Sequence, residues 1–198
     1  MSTDSPERSG GEPGAFPAFS GIVLAGGAAR RLGGIDKPML EVGGMPMLYR
    51  AVAALDGALR VAVVGPRRDG LPGVDWVRED PPGTGPVAAL AAGLPFAGTE
   101  IVVVLASDLP GIAPGTVSRL LGALSAHDDA DGAVLVDATG RRQWLLGAWR
   151  RTALLESIPA EPEGAALRRT LGRLSIVDVL ALPGEADDVD TRDDLDPA

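Results

Sequence analysis

The 198-residue chain contains no cysteine and a single histidine. Without thiols there are no disulfides, no thiolate metal sites and no cysteine nucleophile, so a bound metal would need oxygen ligands. The lone histidine, His127, lies in a polar stretch, Ser125-Ala126-His127-Asp128-Asp129, that reads as surface. No Gly-x-Ser-x-Gly occurs, so a serine hydrolase triad has little support. Aromatic residues make up 4% of the chain, and Trp76, Trp144 and Trp149 read as core or rim packing rather than stacking platforms. There is no apolar run of 18 residues, and Asp4, Pro6 and Glu7 stand where a secretory signal would be basic and then apolar. The expectation is a cytoplasmic protein with no membrane partner. Two common phosphate-binding strings are missing as well. There is no P-loop, and Gly26-Gly27 is followed by Ala-Ala-Arg-Arg where a dinucleotide fold would need Gly-x-Gly-x-x-Gly.

The net charge of −9 is mostly terminal. Residues 185–198 hold seven acids against one arginine and residues 1–17 three against one, which leaves −1 for residues 18–184. Such a body offers no basic stripe, so no nucleic-acid partner is expected. The acidic end reads as solvated chain. Residues 1–17, rich in Ser, Gly, Pro and Glu, carry too little apolar surface to offset their conformational entropy and are expected to be disordered. With 45% hydrophobic residues, positions 18–198 suffice for one domain.

What is present alternates between strand and helix patterns. Residues 19–24, 61–64 and 101–106 are short apolar runs, as in strands buried on both faces of a parallel sheet. Further strands are expected at 74–77, 133–136 and 174–177. Met47, Leu48, Ala51, Val52 and Leu55 recur at helical spacing after Pro46, and helices are also expected over 85–94, 114–124, 152–158 and 165–171. Residues 144–149 complete the domain. The alternation implies right-handed crossovers and an α/β fold: a single doubly wound, mostly parallel sheet sandwiched by helices. Ligands of such sheets lie outside the carboxyl ends of the strands, so the loop after Leu24 and Asp108 after Ala106 can meet at one site.

Residues 24–37, Leu-Ala-Gly-Gly-Ala-Ala-Arg-Arg-Leu-Gly-Gly-Ile-Asp-Lys, are the most informative stretch. Glycines let a backbone approach an anion closely, free N–H groups donate to phosphate oxygens, and cations close over the charge. A polyphosphate site follows, with a glycine-rich surface turn as the plain alternative. The order Leu-Ala-Gly-Gly, Arg31-Leu32-Gly33, Asp36-Lys37 resembles the signature loop of nucleotidyltransferases, and its paired arginines with Gly-Gly-x-Asp-Lys look most like the molybdenum cofactor guanylyltransferases.

Asp108 leaves a buried strand in Ser107-Asp108-Leu109-Pro110. It reads equally as a polar strand terminus or as a carboxylate aimed into a cleft, where Mg²⁺ would take one or two carboxylates plus substrate phosphates. The family resemblance implies the metal role. Asp80-Pro-Pro-Gly-Thr-Gly85-Pro-Val-Ala-Ala-Leu90 is either a proline-rich turn before a helix or, by resemblance, the family's Asp, spacer, Gly-Pro-Leu-Ala-Gly, with Ala89 in place of the second glycine. Asp188-Val189-Asp190-Thr191-Arg192 resembles the closing motif that brings a second metal-side ligand, Asp190, although Arg192 replaces a proline and a capped acidic tail would read the same. Gln143, beside Trp144, resembles a position near the acceptor.

The resemblance spans residues 19–195 and implies a Rossmann-like nucleotidyltransferase fold. It implies Arg31, Lys37 and Asp108 as catalytic groups, and a nucleotide held by Leu24, Ala25, Gly26, Gly27, Arg30, Lys37, Asp80, Gly85 and Asp108. Mg²⁺ is implied on Asp108 and Asp190, with GTP and molybdopterin as substrates and pyrophosphate as a product. CTP or another phosphorylated acceptor remains an alternative, as does a nucleotide-binding regulatory domain without turnover. The cations suit the chemistry, because attack on an α-phosphorus builds charge on phosphate oxygens that fixed cations and a metal stabilise.

Overall fold

A computed structural model describes residues 16–26 and 36–187. The segment Phe19–Leu24 (β1) is buried along its whole length, and its side chains alternate between two apolar layers. Phe19 and Val23 face a cluster containing Leu48, Leu55, Val63, Leu105 and Leu120, while Ile22 and Leu24 face one containing Val64, Leu90, Val104, Trp149 and Leu154. Only helices on both faces can bury such a strand.

Those helices follow the expected spacings. After the short hairpin Glu41–Val42 (β2) and Met45–Pro46 (β3), helix α1 (Met47–Ala54) buries Met47, Leu48, Ala51 and Ala54 along one stripe. Strands β4 (Val61–Val64) and β5 (Asp75–Val77) precede α2 (Pro86–Gly93), which opens on a proline and is almost wholly apolar. β6 (Ile101–Ala106) leads to α3 (Pro114–Ser125), which buries Val117, Leu120, Leu121 and Leu124. The chain then forms β7 (Gly132–Val136), β8 (Arg142–Arg150), α4 (Arg151–Ser157), α5 (Leu167–Leu171) and β9 (Ile176–Leu180).

Among the described residues the main sheet has seven strands in the order β5-β4-β1-β6-β8-β7-β9. β1 pairs in parallel with both β4 and β6, so Leu24 lies level with Val64 on one side and Ala106 on the other. The order reverses between β1 and β6, the place where loops diverge and leave a crevice. The Ser107 N–H donates to the Leu24 carbonyl at 3.1 Å, so the segments leaving β1 and β6 begin side by side.

The expected fold is the observed one, with corrections at the carboxyl half. The 144–149 segment belongs to the nine-residue strand β8, which runs antiparallel between β6 and β7. The last strand starts two residues later than expected and extends to Leu180, because β9 is an edge strand whose central Asp178 interrupts the apolar run. Of the segment expected to be disordered, residues 1–15 lie outside the described residues. No helix among the described residues is long and apolar enough to cross a membrane.

Candidate active site

The two groups that sequence reading sends to a single site do meet. Lys37 begins a short 3₁₀ turn, Lys37–Met39, and its Nζ donates to Asp108 Oδ2 at 3.0 Å across 71 residues of sequence. Both side chains are half-buried. Leu24, Ala25 and Gly26 run directly into this place from β1, and Gly27, Arg30, Arg31 and Asp190 lie outside the described residues.

Arg68, which no motif singles out, braces the glycine segment at both ends. Its Nε and Nη2 grip the Asp36 carboxylate at 2.7 and 2.6 Å, and Nη2 also donates to the Ala25 carbonyl at 3.2 Å. Ala25 precedes the segment and Asp36 closes it, so one guanidinium fixes both anchors.

The turn between β5 and α2 separates two neighbouring acids. Asp80 is exposed and precedes the cis-proline Pro81, whereas Glu79 is 8% exposed. Glu79 Oε1 accepts from the Gly83 N–H at 2.8 Å, while Oε2 is buried with no partner among the described residues. A Cβ built on Gly26 would lie 3.9 Å from Glu79 Oε1, so Glu79 borders the glycine segment. Gly85 sits at the head of α2 with φ +110°, a conformation that favours glycine, and Gly83 has φ +80°. Helix α2, whose first N–H groups have no partner within the helix, begins three residues after Gly83. Sequence reading missed Glu79 because burial, not residue type, distinguishes it from Asp80.

From Asp108 a cavity of about 850 Å³ extends under β8 and α5. Its wall carries Arg141, Arg142 and Arg168, with Asp137, Gln143 and Trp144 between them. Arg142 is ion-paired with Asp178, Nε to Oδ1 at 2.6 Å, and its guanidinium lies 5.9 Å from the centroid of the Trp144 ring system. Asp137 organises the β7–β8 turn. The Thr139 hydroxyl and the Arg141 and Thr139 N–H groups converge on its Oδ1, and Gln143 Nε2 donates to Oδ2 at 2.9 Å. These donors, led by the Thr139 hydroxyl, hold its carboxyl down at about 2.

No group of three or more His, Asp or Glu side chains that could hold a metal occurs among the described residues. Asp108 Oδ1 has no hydrogen bond there, however, and one carboxylate oxygen fits Mg²⁺, which retains waters and takes most other ligands from a polyphosphate.

Comparison with known proteins bears on the family and the fold. Residues 21–177 match the MobA-like NTP transferase domain. The chain belongs to that family. It is 34% identical over 165 residues to a molybdenum cofactor guanylyltransferase of Rhodobacter capsulatus, a match covering 79% of this chain and 80% of the relative. A probable molybdenum cofactor guanylyltransferase of Haloferax mediterranei is 36% identical over 112 residues, and there the alignment spans about half of each protein, 52% of this chain and 53% of the relative. Among solved structures, a nucleotidyl transferase from Methanothermobacter thermautotroptrophicus superposes with a TM-score of 0.70 at 22% identity, covering 88% of this chain and 93% of that one. That structural likeness supports the fold of this MobA-like chain.

Proposed function

We propose that this MobA-like domain transfers GMP from GTP to the phosphate of molybdopterin and releases pyrophosphate. The observation that carries the reading is the Lys37–Asp108 contact at the sheet's switch point, at the mouth of a cavity large enough for a second substrate. An oxygen of the acceptor phosphate attacks the α-phosphorus, the new phosphorus–oxygen bond forms, and the bond to the β-phosphate oxygen breaks as pyrophosphate leaves. The acceptor is already ionised near neutral pH, so the chain supplies positioning and charge rather than a general base.

In this reading Asp108, with Asp190 from the closing motif, holds Mg²⁺, which supplies charge neutralisation on the triphosphate when bound. Lys37 pairs with Asp108 in the absence of substrate and turns its ammonium to the phosphates when the nucleotide enters. Arg30 and Arg31 add positive charge where the transition state gains negative charge. Leu24, Ala25, Gly26 and Gly27 line the triphosphate with backbone, and Asp80 and Gly85 bound the nucleoside end.

Pyrophosphate release tests the reading. The wild-type chain with Mg²⁺, each NTP in turn and molybdopterin is expected to consume GTP preferentially. Lys37→Ala and Asp108→Ala are expected to lower kcat by about 10²–10³ with unchanged melting, the typical loss for one electrostatic contributor. Preference for CTP would reassign the base, and binding without turnover would favour a regulatory domain.

A further inference from the structure

The chain that follows β9 passes into the cavity that Asp108 borders. Ala186 lines that cavity together with Arg141, Arg168 and Trp144. The point of exit is fixed, because the preceding residue, Glu185, is buried and its carboxylate accepts from the Thr116 hydroxyl, the Arg119 guanidinium and the Leu182 N–H. Gly184 is held as closely, its carbonyl leaving no room for a Cβ on Gly111. The residues after Ala186 therefore start from the cavity wall.

Those residues are acidic. Positions 187–198 carry six aspartates against Arg192, and all of them but Asp187 lie outside the described residues. The wall from which they start is of opposite charge. Arg141 and Arg168 have no ion pair among the described residues. The other charges there are matched: Arg142 pairs with Asp178, Lys37 pairs with Asp108, and Asp137 is turned into its own loop by Thr139, Gln143 and the Arg141 N–H. Asp193 is seven positions beyond Ala186, an extended reach of about 23 Å. A cavity of about 850 Å³ is shorter than that in every direction if compact, so Asp193, Asp194 and Asp196 can come to either guanidinium.

We propose that the acidic segment 193–196 is an intramolecular strap that docks on Arg141 and Arg168 and holds this basic wall until an anionic ligand displaces it. Asp190, which the proposed function gives to Mg²⁺, is not part of the strap. Guanidinium groups receive carboxylates in a fork geometry, and the short connection to Ala186 keeps the local concentration of aspartate high. Ion pairs this exposed are individually weak and are screened by salt. The strap therefore yields to a phosphate that engages both guanidiniums, and its hold loosens as ionic strength rises. Docking needs only the basic wall, whereas its effect on turnover rests on the nucleotidyl-transfer reading.

The chain has no cysteine, so introduced pairs report contact without background. The full chain with Arg168→Cys and Asp194→Cys is compared under mild oxidation with one carrying Leu59→Cys and Asp194→Cys. Leu59 is 69% exposed and bonds to the Phe19 carbonyl at the start of β1, the opposite end of the sheet. Arg141, Asp193 and Asp196 remain to hold the strap. At low salt the first pair is expected to close about tenfold faster than the second, as a tethered contact should. That advantage is expected to vanish at 1 M salt, where the screening length falls to about 3 Å, and in an Asp193→Asn, Asp196→Asn background. In the full chain, Asp193→Asn, Asp194→Asn and Asp196→Asn together are expected to lower the molybdopterin KM about threefold at low salt, the scale of a few screened ion pairs, with the GTP KM unmoved. Equal rates for the two cysteine pairs, a rate indifferent to salt, or an unchanged molybdopterin KM overturns the proposal. Absence of turnover in the wild type with every NTP would instead remove the transfer reading and leave the disulfide result standing.

Discussion

Arg68 contacts both ends of the glycine segment, through the Asp36 carboxylate and the Ala25 carbonyl, and its side chain is only 10% exposed. A bidentate charge-assisted pair of this kind fixes geometry as well as contributing energy. Arg68→Ala is expected to weaken nucleoside triphosphate binding about tenfold, the effect of losing roughly 1.4 kcal/mol of preorganisation, with Arg68→Lys recovering part of it. Calorimetric titration of both variants checks this, and unchanged affinity in Arg68→Ala would show that the loop needs no brace. At this scale the sequence exposes some residues and hides others. Lys37 and Asp108 are legible because a cation closing a glycine loop and an acid ending a buried strand are local patterns. Arg68 and Glu79 are not, since Arg67-Arg68 and Glu79-Asp80 are each pairs of like letters, and only burial and cross-loop contacts separate their members.

Within single elements, the apolar strands β1, β4 and β6 stand out because both faces are covered and no polar residue is needed to meet solvent. β8 and β9 are harder to read. β8 combines a polar, cavity-lining start with a buried end, and β9 carries Asp178 paired to Arg142 in its middle. The buried end of β8 also depends on close approach. The Trp149 ring packs over Gly132 and Gly147, and a Cβ at Gly147 would fall 2.7 Å from the indole Nε1 and 3.0 Å from the Ala133 carbonyl. Gly147→Ala is therefore expected to destabilise the domain by about 1–3 kcal/mol through overpacking against backbone that cannot yield. Urea unfolding with an unchanged slope but a lower midpoint is the expected signature.

Across the whole molecule, residues 182–185, which follow β9, are tied to α3 and to the segment that leads into it. Glu185, 5% exposed, accepts from the Thr116 hydroxyl, the Arg119 guanidinium and the Leu182 N–H, and Gly184 packs directly on Gly111, three residues after Asp108. Burial pushes the Glu185 carboxyl up, but the hydrogen bonds from Arg119, Thr116 and Leu182 and the charge of Arg119 outweigh it, so the group titrates below its ordinary value of 4.5. A carboxyl depressed in the folded state contributes stability that is complete above the unfolded value and is lost as pH falls through the folded one. Glu185→Gln is expected to cost about 2 kcal/mol at pH 7, from a lost charged hydrogen bond, and to flatten the loss of stability below pH 4.5. Denaturation midpoints at a series of pH values compare the two proteins, and parallel profiles would exclude the tether. The acidic end, read from composition as solvated chain, thus includes one acid that the fold buries.

The sequence by itself determined the alternation of strands and helices, the two-faced burial of the central strands, and the glycine loop with its lysine and the strand-ending aspartate. These are written in spacings shorter than one element, where periodicity and turn chemistry act locally. Only the tertiary structure decided that Lys37 touches Asp108, that Arg68 joins Ala25 to Asp36, and that a register shift between β7 and β8 leaves Trp144 on a cavity wall. Each of these depends on strand order and register, which bring together residues tens of positions apart, and no local pattern of letters carries that distance.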